Sequence, residues 1–269
     1  MKKNIRILSV SDLHTGNISG LTPDKYNPDS EINHDMYLYR KTLYQWVQKE
    51  IAALKPIDIC VVNGDILDGK GEKTGGNEQI TMDRTMQIQM AIDFCKWIGA
   101  KQYLFTYGTQ YHVGQEDDWE NEVASAFGVQ PEATAKAVVN GLVMKWRHYT
   151  GGSVNYASRT SSLMRNQMND ILWGVQGEEE SADVLVYSHV HYFFAVTNRF
   201  GTVFASPALQ GWGGSQLGAR RLGGIVDYGF LHFDVTSKED WSWKVHRLLQ
   251  TPKLRKGLLV GQSLQQSSK

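Results

Sequence analysis

Ile5-Arg6-Ile7-Leu8-Ser9-Val10-Ser11-Asp12-Leu13-His14 is the stretch that opens the pattern. A short, β-branched apolar run reads as a buried strand, and this one runs out into Asp12 and His14. Other apolar runs end alike. Val61-Val62-Asn63-Gly64-Asp65 is one, Phe105-Thr106-Tyr107-Gly108 leading to His112 is another, and Val184-Leu185-Val186-Tyr187-Ser188-His189-Val190-His191 is a third. In open α/β sheets, ligand sites lie just beyond the carboxyl ends of the strands. Strand ends that each deliver Asp or His therefore place Asp12, His14, Asp65, His112, His189 and His191 on one rim and predict a shared metal site.

Outward from these ends, helical spacing predicts a helix over 35–54, with Tyr37, Leu38, Leu43, Trp46, Val47 and Ile51 on one stripe and Pro56 stopping it. A strand over 57–63 follows, then a Gly- and Lys-rich loop over 68–77. Next come a helix over 78–98 closed by Gly99, a strand over 103–107 and a short helix over 117–127 with an acidic first turn. Strand and helix in alternation predict βαβ units and a parallel sheet. The second half reads differently: a hairpin over 135–149 around Asn140-Gly141, a helix over 161–175 and a strand over 183–187. Two strand pairs complete it, 193–198 with 202–205 and 225–235 with 241–248. Residues 1–256 read as one domain and 257–269 as a polar tail.

The chain has 269 residues, 41% of them hydrophobic, enough for a sizeable core. Lys+Arg and Asp+Glu are 28 each, so the formal net charge is +0. No global field draws the chain to long polyanions or anionic membranes. Cys60 and Cys95 sit in an apolar strand and on a helix and read as small core residues. No run reaches the ~20 apolar residues of a spanning helix. The apolar run over 5–10 is too short for a signal-peptide core, so a cytoplasmic location is expected.

Ordered along the chain, Asp12-Leu13-His14, Gly64-Asp65-Ile66-Leu67-Asp68, Gly108 to His112, His148 and His189-Val190-His191 resemble the motif set of the calcineurin-like metallophosphoesterases. The likeness spans residues 5 to about 205. The third motif departs from the usual Gly-Asn-His followed by an acid: it reads Gly108-Thr109-Gln110-Tyr111-His112-Val113-Gly114. The asparagine is missing and the histidine comes two residues late, a Gly-Thr-x-x-His-Val-Gly form that looks like a phage-type variant. Ser188 stands where the fourth motif usually has glycine.

The resemblance implies a four-layer α-β-β-α sandwich, two mixed sheets flanked by helices, with the metal site at the strand C-terminal rim. It implies two divalent metal ions: manganese first, with iron, zinc or nickel compatible. Asp12, His14 and His191 would hold one, His148 and His189 the other, and Asp65 both. Thr109 or Gln110 would supply the missing second-metal oxygen, or His112 would ligate directly; otherwise His112 is the candidate general acid. Asp68 is either an orienting carboxylate or a loop acid. The implied reaction is hydrolysis of a phosphodiester by a metal-bridging hydroxide, with a nuclease as one subclass and DNA or a nucleotide as substrate. The alternatives are a phosphomonoesterase or nucleotide hydrolase, a mononuclear hydrolase, and an altered fold kept as a protein-binding module.

Other residues have ordinary readings. His34, His232 and His246 carry no motif, and Lys145 and Arg147 beside His148 read as solvated. Glu116-Asp117-Asp118 reads as a helix start and 178–180 as a solvated acidic turn. Tyr26 is a candidate cap over the site. Trp212, Arg220 and Arg221, in a Gly-rich basic loop, are candidate substrate contacts, with Trp212 stacking on a base.

Overall fold

The run after Asn4 forms β1 (Ile5–Val10), followed by α1 (His34–Ala52), β2 (Ile59–Asn63), α2 (Arg84–Ile98) and β3 (Gln102–Thr106). They belong to a computed structural model that describes residues 3–29, 34–71, 75–113, 118–211 and 226–249. β1, β2 and β3 pair in parallel, with Ile7 opposite Ile59 and Cys60 opposite Tyr103. Two short helices, α3 (Gln110–Val113) and α4 (Trp119–Ser125), lead to the hairpin of β4 (Ala135–Val139) and β5 (Leu142–Arg147). Asn140 and Gly141 turn it with φ of 51° and 94°, the left-handed pair that a two-residue hairpin loop requires.

The chain then crosses through α5 (Ser161–Gln176) to β6 (Val184–Tyr187), parallel to β5. β7 (Phe194–Asn198) and β8 (Gly201–Ala205) form a hairpin whose second strand lies parallel to β6. β9 (Tyr228–Val235) returns to the first sheet antiparallel to β1, and β10 (Trp241–Leu248) closes its edge. The orders are β10-β9-β1-β2-β3 and β4-β5-β6-β8-β7, so both sheets are mixed.

Alternation along the strands makes the layers. Ile7, Val61, Leu231 and Phe233 of the first sheet meet Met144, Trp146, Val186 and Phe204 of the second. On its other face the first sheet takes α1, α2 and α4 through Val47, Phe94 and Val123, packed with Leu8 and Val62. α5 covers the second sheet with Leu163 against Leu185 and Val203. Each large apolar side chain so enclosed contributes roughly 1.5–3 kcal/mol. The result is the α-β-β-α sandwich expected.

α5 is unusual in what it buries. Gln167 and Asp170 point inward with Leu163, whereas Met164, Met168, Leu172 and Val175 face out. Asp170 meets the buried Lys145 at 2.7 Å and also accepts from Ala182 N.

The structure shifts several boundaries. α2 begins at Arg84, not at 78, because the Asp83 carboxylate caps the amides of Thr85 and Met86. The residues before it form a turn bridged to Asn17 through Gln79. β2 begins at Ile59, and α4 is capped by Asp118 and starts at Trp119. α3 lies in the third motif, a stretch to which the sequence pattern assigns no element. Residues 257–269, Glu116, Asp117, Trp212, Arg220 and Arg221 lie outside the described residues.

Candidate metal centre

The strand ends are shaped by backbone conformation. Asp12, His14, Asp65, His189 and His191 all have φ between 45° and 73°; among the described residues, the remaining non-glycine with positive φ is Asn140 of the hairpin. The left-handed region costs an L-residue roughly 1–2 kcal/mol, and such strain clusters at functional sites. Hydrogen bonds between neighbouring strand ends hold it: Asp12 N donates to Gly64 O at 3.0 Å and His14 N to Asp65 O at 3.1 Å. Gly64 and Gly108 admit the close approach. A Cβ on Gly64 would lie 2.6 Å from the His148 ring, and one on Gly108 would lie 2.3 Å from the Asp65 carboxylate.

The side chains converge in overlapping groups: Asp12, His14 and His191; Asp65, His148 and His189; and His14, Asp68 and His112. Within each, one candidate ligand atom per residue lies within 4.8 Å of the others. His191 Nε2 is 3.2 Å from Asp12 Oδ1, and His148 Nε2 is 2.9 Å from Asp65 Oδ2 and 3.9 Å from Asp12 Oδ1. His189 Nδ1 is 3.8 Å and His14 Nε2 4.0 Å from the same Asp65 oxygen. Asp12 Oδ1, His14 Nε2, His148 Nε2 and His189 Nδ1 are buried and make no hydrogen bond. Buried polar atoms rarely stay unsatisfied. Carboxylate oxygens and imidazole nitrogens suit a divalent cation of hard to borderline character, so the donor set fits the metal that the motifs imply.

A surrounding set of hydrogen bonds aims these atoms. His14 Nδ1 donates to Asp68 Oδ1 at 3.0 Å, and Asp68 is itself held by Asn17 and Gln79. His148 Nδ1 donates to Asn63 O at 2.7 Å. Thr109 gives both its amide (2.6 Å) and its hydroxyl (3.0 Å) to Asp65 Oδ1. Partners of this kind fix the imidazole tautomer and carboxylate direction at metal sites. Glu120, fully buried on α4, accepts from Ile66 N and Gly108 N and so ties the second and third strand ends together. Burial, with the Asp65 charge nearby, pushes its carboxyl up to about 7.

Electrostatics couple the cluster. Burial would raise the Asp12 carboxyl, but the His191 and His148 imidazoles outweigh it and hold it at about 2. Burial would lower His148, yet Asp65 and Asp12 raise it to about 10. Asp65 is held well below its ordinary value, against burial, chiefly by His148 and His112. Burial moves His112 the other way, below its ordinary value.

Of the expected site residues, Asp12, His14, Asp65, Asp68, His112, His148, His189 and His191 all come together here. Thr109 lies beside them with its hydroxyl committed to Asp65, while the Gln110 side chain is exposed. His148 is buried, not a surface histidine, and its neighbours are not simply solvated. Lys145 pairs with Asp170 and Glu179, and Arg147 lies 4.9 Å over the Trp173 ring. The acidic turn over 178–180 is exposed, as expected, with Glu179 also meeting Lys145 and Glu180 meeting Lys136. Tyr26 hydrogen-bonds Asp93 on α2. His34 pairs with Asp29 at the surface, and His232 joins His246 and Glu50 in a hydrogen-bonded chain. The sequence reading missed Asn17, Asn63 and Glu120. An apolar strand ending in asparagine before Gly-Asp was the available signal for Asn63; nothing local marks Glu120.

No protein-family profile matches the chain, and no curated protein matches it. Among solved structures it is similar to Vps29 complexed with zinc from Entamoeba histolytica, at 12% identity and a TM-score of 0.46, over 91% of this chain and 98% of that one. It is similar to a novel archaeal phosphodiesterase at 12% identity and a TM-score of 0.47, over 90% and 100%. A conserved Streptococcus pneumoniae protein described as a predicted phosphoesterase aligns at 9% identity and a TM-score of 0.39, over 91% and 100%.

Proposed function

We propose that the chain is a calcineurin-like, dinuclear-metal phosphoesterase that hydrolyses phosphodiester bonds. The observation that carries this reading is the set of four buried, unsatisfied atoms, Asp12 Oδ1, His14 Nε2, His148 Nε2 and His189 Nδ1, gathered around the Asp65 carboxylate. Asp12, His14 and His191 would hold one ion and His148 and His189 the other, with Asp65 reaching both. Carboxylate and imidazole donors without thiolate are compatible with manganese, iron, zinc or nickel, and manganese is the ion that the family resemblance puts first. Bound there, two cations would polarise the phosphoryl oxygens and lower the pKa of the attacking water.

The protein's part is to aim and to exclude. Asp68, Asn63 and Thr109 fix His14, His148 and Asp65 in direction. His112 donates its Nδ1 hydrogen to the Asp68 carbonyl, an atom that can only accept, at 2.9 Å. Nε2 of the neutral ring is then the lone-pair nitrogen. Together with the downward shift of His112, this favours ligation or proton acceptance at Nε2 over a general-acid role. A formal net charge of +0 favours a nucleotide or a short single strand over long duplex DNA. Cys60 and Cys95 are buried free thiols, in keeping with the cytoplasm.

The test is hydrolysis of bis-p-nitrophenyl phosphate by the full chain with added manganese. Activity should vanish with EDTA and in Asp65→Asn; activity that survives both removes the proposal. A second reading, a protein-binding module with an altered site, is favoured by the outward apolar residues of α5 and the missing third-motif asparagine. Metal-dependent turnover separates the two.

A further inference from the structure

We infer that Tyr149 is a stacking platform for a nucleobase, so that the phosphodiester hydrolysed at this centre carries a nucleoside. The inference rests on the phosphoesterase reading above and narrows its substrate class.

Tyr149 directly follows His148 at the end of β5. His148 and Thr150, on either side, are each 2% exposed, yet Tyr149 is 66% exposed. Both flanks are tied down: His148 by its bond to Asn63 O, and Thr150 by Asn166, whose amide donates to the Thr150 hydroxyl at 3.1 Å. Gly151 presses against α5 so closely that a Cβ there would lie 2.7 Å from Ser162 Oγ. The backbone under the ring is therefore fixed, and little conformational freedom is left to lose when a ligand settles on it.

The ring itself lies against the centre. Its centroid is 4.8 Å from that of His189, at a 42° tilt. One side of the phenol is thus supported by a candidate ligand and much of the rest is open to water. The same connection carries two more exposed apolar side chains, Val154 and Tyr156, the latter edge-on to Phe194 at 5.2 Å. Every base has a flat face, so an aromatic platform accepts bases without reading their edges. A base in a duplex already has both faces covered, so this platform suits a mononucleoside ester or a single strand. That agrees with a chain that carries no excess of positive charge.

Two esters with the same leaving group test it: thymidine 5′-(p-nitrophenyl phosphate) and methyl p-nitrophenyl phosphate, each with manganese-loaded full chain. The wild type should prefer the thymidine ester in kcat/KM by about tenfold or more, as expected for one stacked base. Tyr149→Ala should bring the ratio close to one, whereas Tyr149→Phe and Tyr149→Trp, which keep a flat ring, should preserve it. A surface tyrosine that only shields His189 would change both rates together and leave the ratio alone. A ratio unmoved in Tyr149→Ala, or no wild-type preference despite turnover of the methyl ester, overturns the platform and spares the phosphoesterase reading. Inertness toward both esters overturns that reading and the platform with it.

Discussion

His148 Nε2 stands 2.9 Å from Asp65 Oδ2, yet it makes no hydrogen bond. The two come from different sheets, one after β5 and one after β2. Each is oriented by another group, His148 by the Asn63 carbonyl and Asp65 by Thr109. A carboxylate and an imidazole brought this close by separate supports would also fit around the shared cation proposed above.

Ion binding should therefore stabilise the fold. At a free manganese concentration of about 100 times Kd, linkage gives about 2.7 kcal/mol, which raises Tm by roughly 5–10 °C for a chain of this size. Differential scanning fluorimetry would show the rise, and EDTA should reverse it. Asp65→Asn should abolish it. An equal rise in the variant would place the ions elsewhere.

Thr109 should govern affinity without governing folding. Thr109→Val keeps the amide that donates to Asp65 but loses the hydroxyl. Removing one such supporting bond is expected to weaken metal binding by about tenfold. Titration calorimetry would measure that loss, and the circular dichroism of the metal-free variant should match the wild type.

Acid should act partly through Asp58. Its carboxylate accepts from Arg6 N at 3.0 Å and pairs with Lys101 and Lys3. The backbone hydrogen bond, then Lys101, hold it down at about 2. A carboxyl lowered on folding gives stability that is fully present above the unfolded value near 4 and lost as pH falls to about 2. Because both lysines are largely exposed, roughly 1–2 kcal/mol is the expected size after screening. Urea unfolding should show Asp58→Asn weaker than wild type at pH 7 and equal to it near pH 2. A gap unchanged with pH would rule out ionisation as the cause.

Lys145 and Asp170 should behave as a buried pair. Lys145→Ala strands the Asp170 carboxylate with the Ala182 amide and is expected to cost about 3–5 kcal/mol. Lys145→Met with Asp170→Asn removes both charges and keeps an acceptor for that amide. The double variant should recover roughly half of the loss or more. Denaturant midpoints for the three proteins would decide it.

The rim was readable because β-branched runs end in Asp12, Asp65, His189 and His191, and strand ends in such sheets face a common edge. His148 was harder: Lys145 and Arg147 beside it look like surface residues, and only the second sheet and α5 enclose them. The start of α2 was misjudged because a capping aspartate, Asp83, settles it rather than periodicity. Left-handed backbone at the five ligand candidates, and the Glu120 clamp between two strand ends, depend on chain segments far apart in sequence. No local pattern signals them. Nor does composition tell that Tyr149 is open while both of its neighbours are enclosed.

The candidate ligands divide evenly: Asp12, His14 and Asp65 follow strands of one sheet, and His148, His189 and His191 follow strands of the other. Neither of the two proposed ion sites is complete within one half of the sandwich: Asp12 and His14 are joined by His191, and Asp65 by His148 and His189. An ion seated between the halves would act as a rivet across the seam, and its capture during folding would report that the two halves have docked in register.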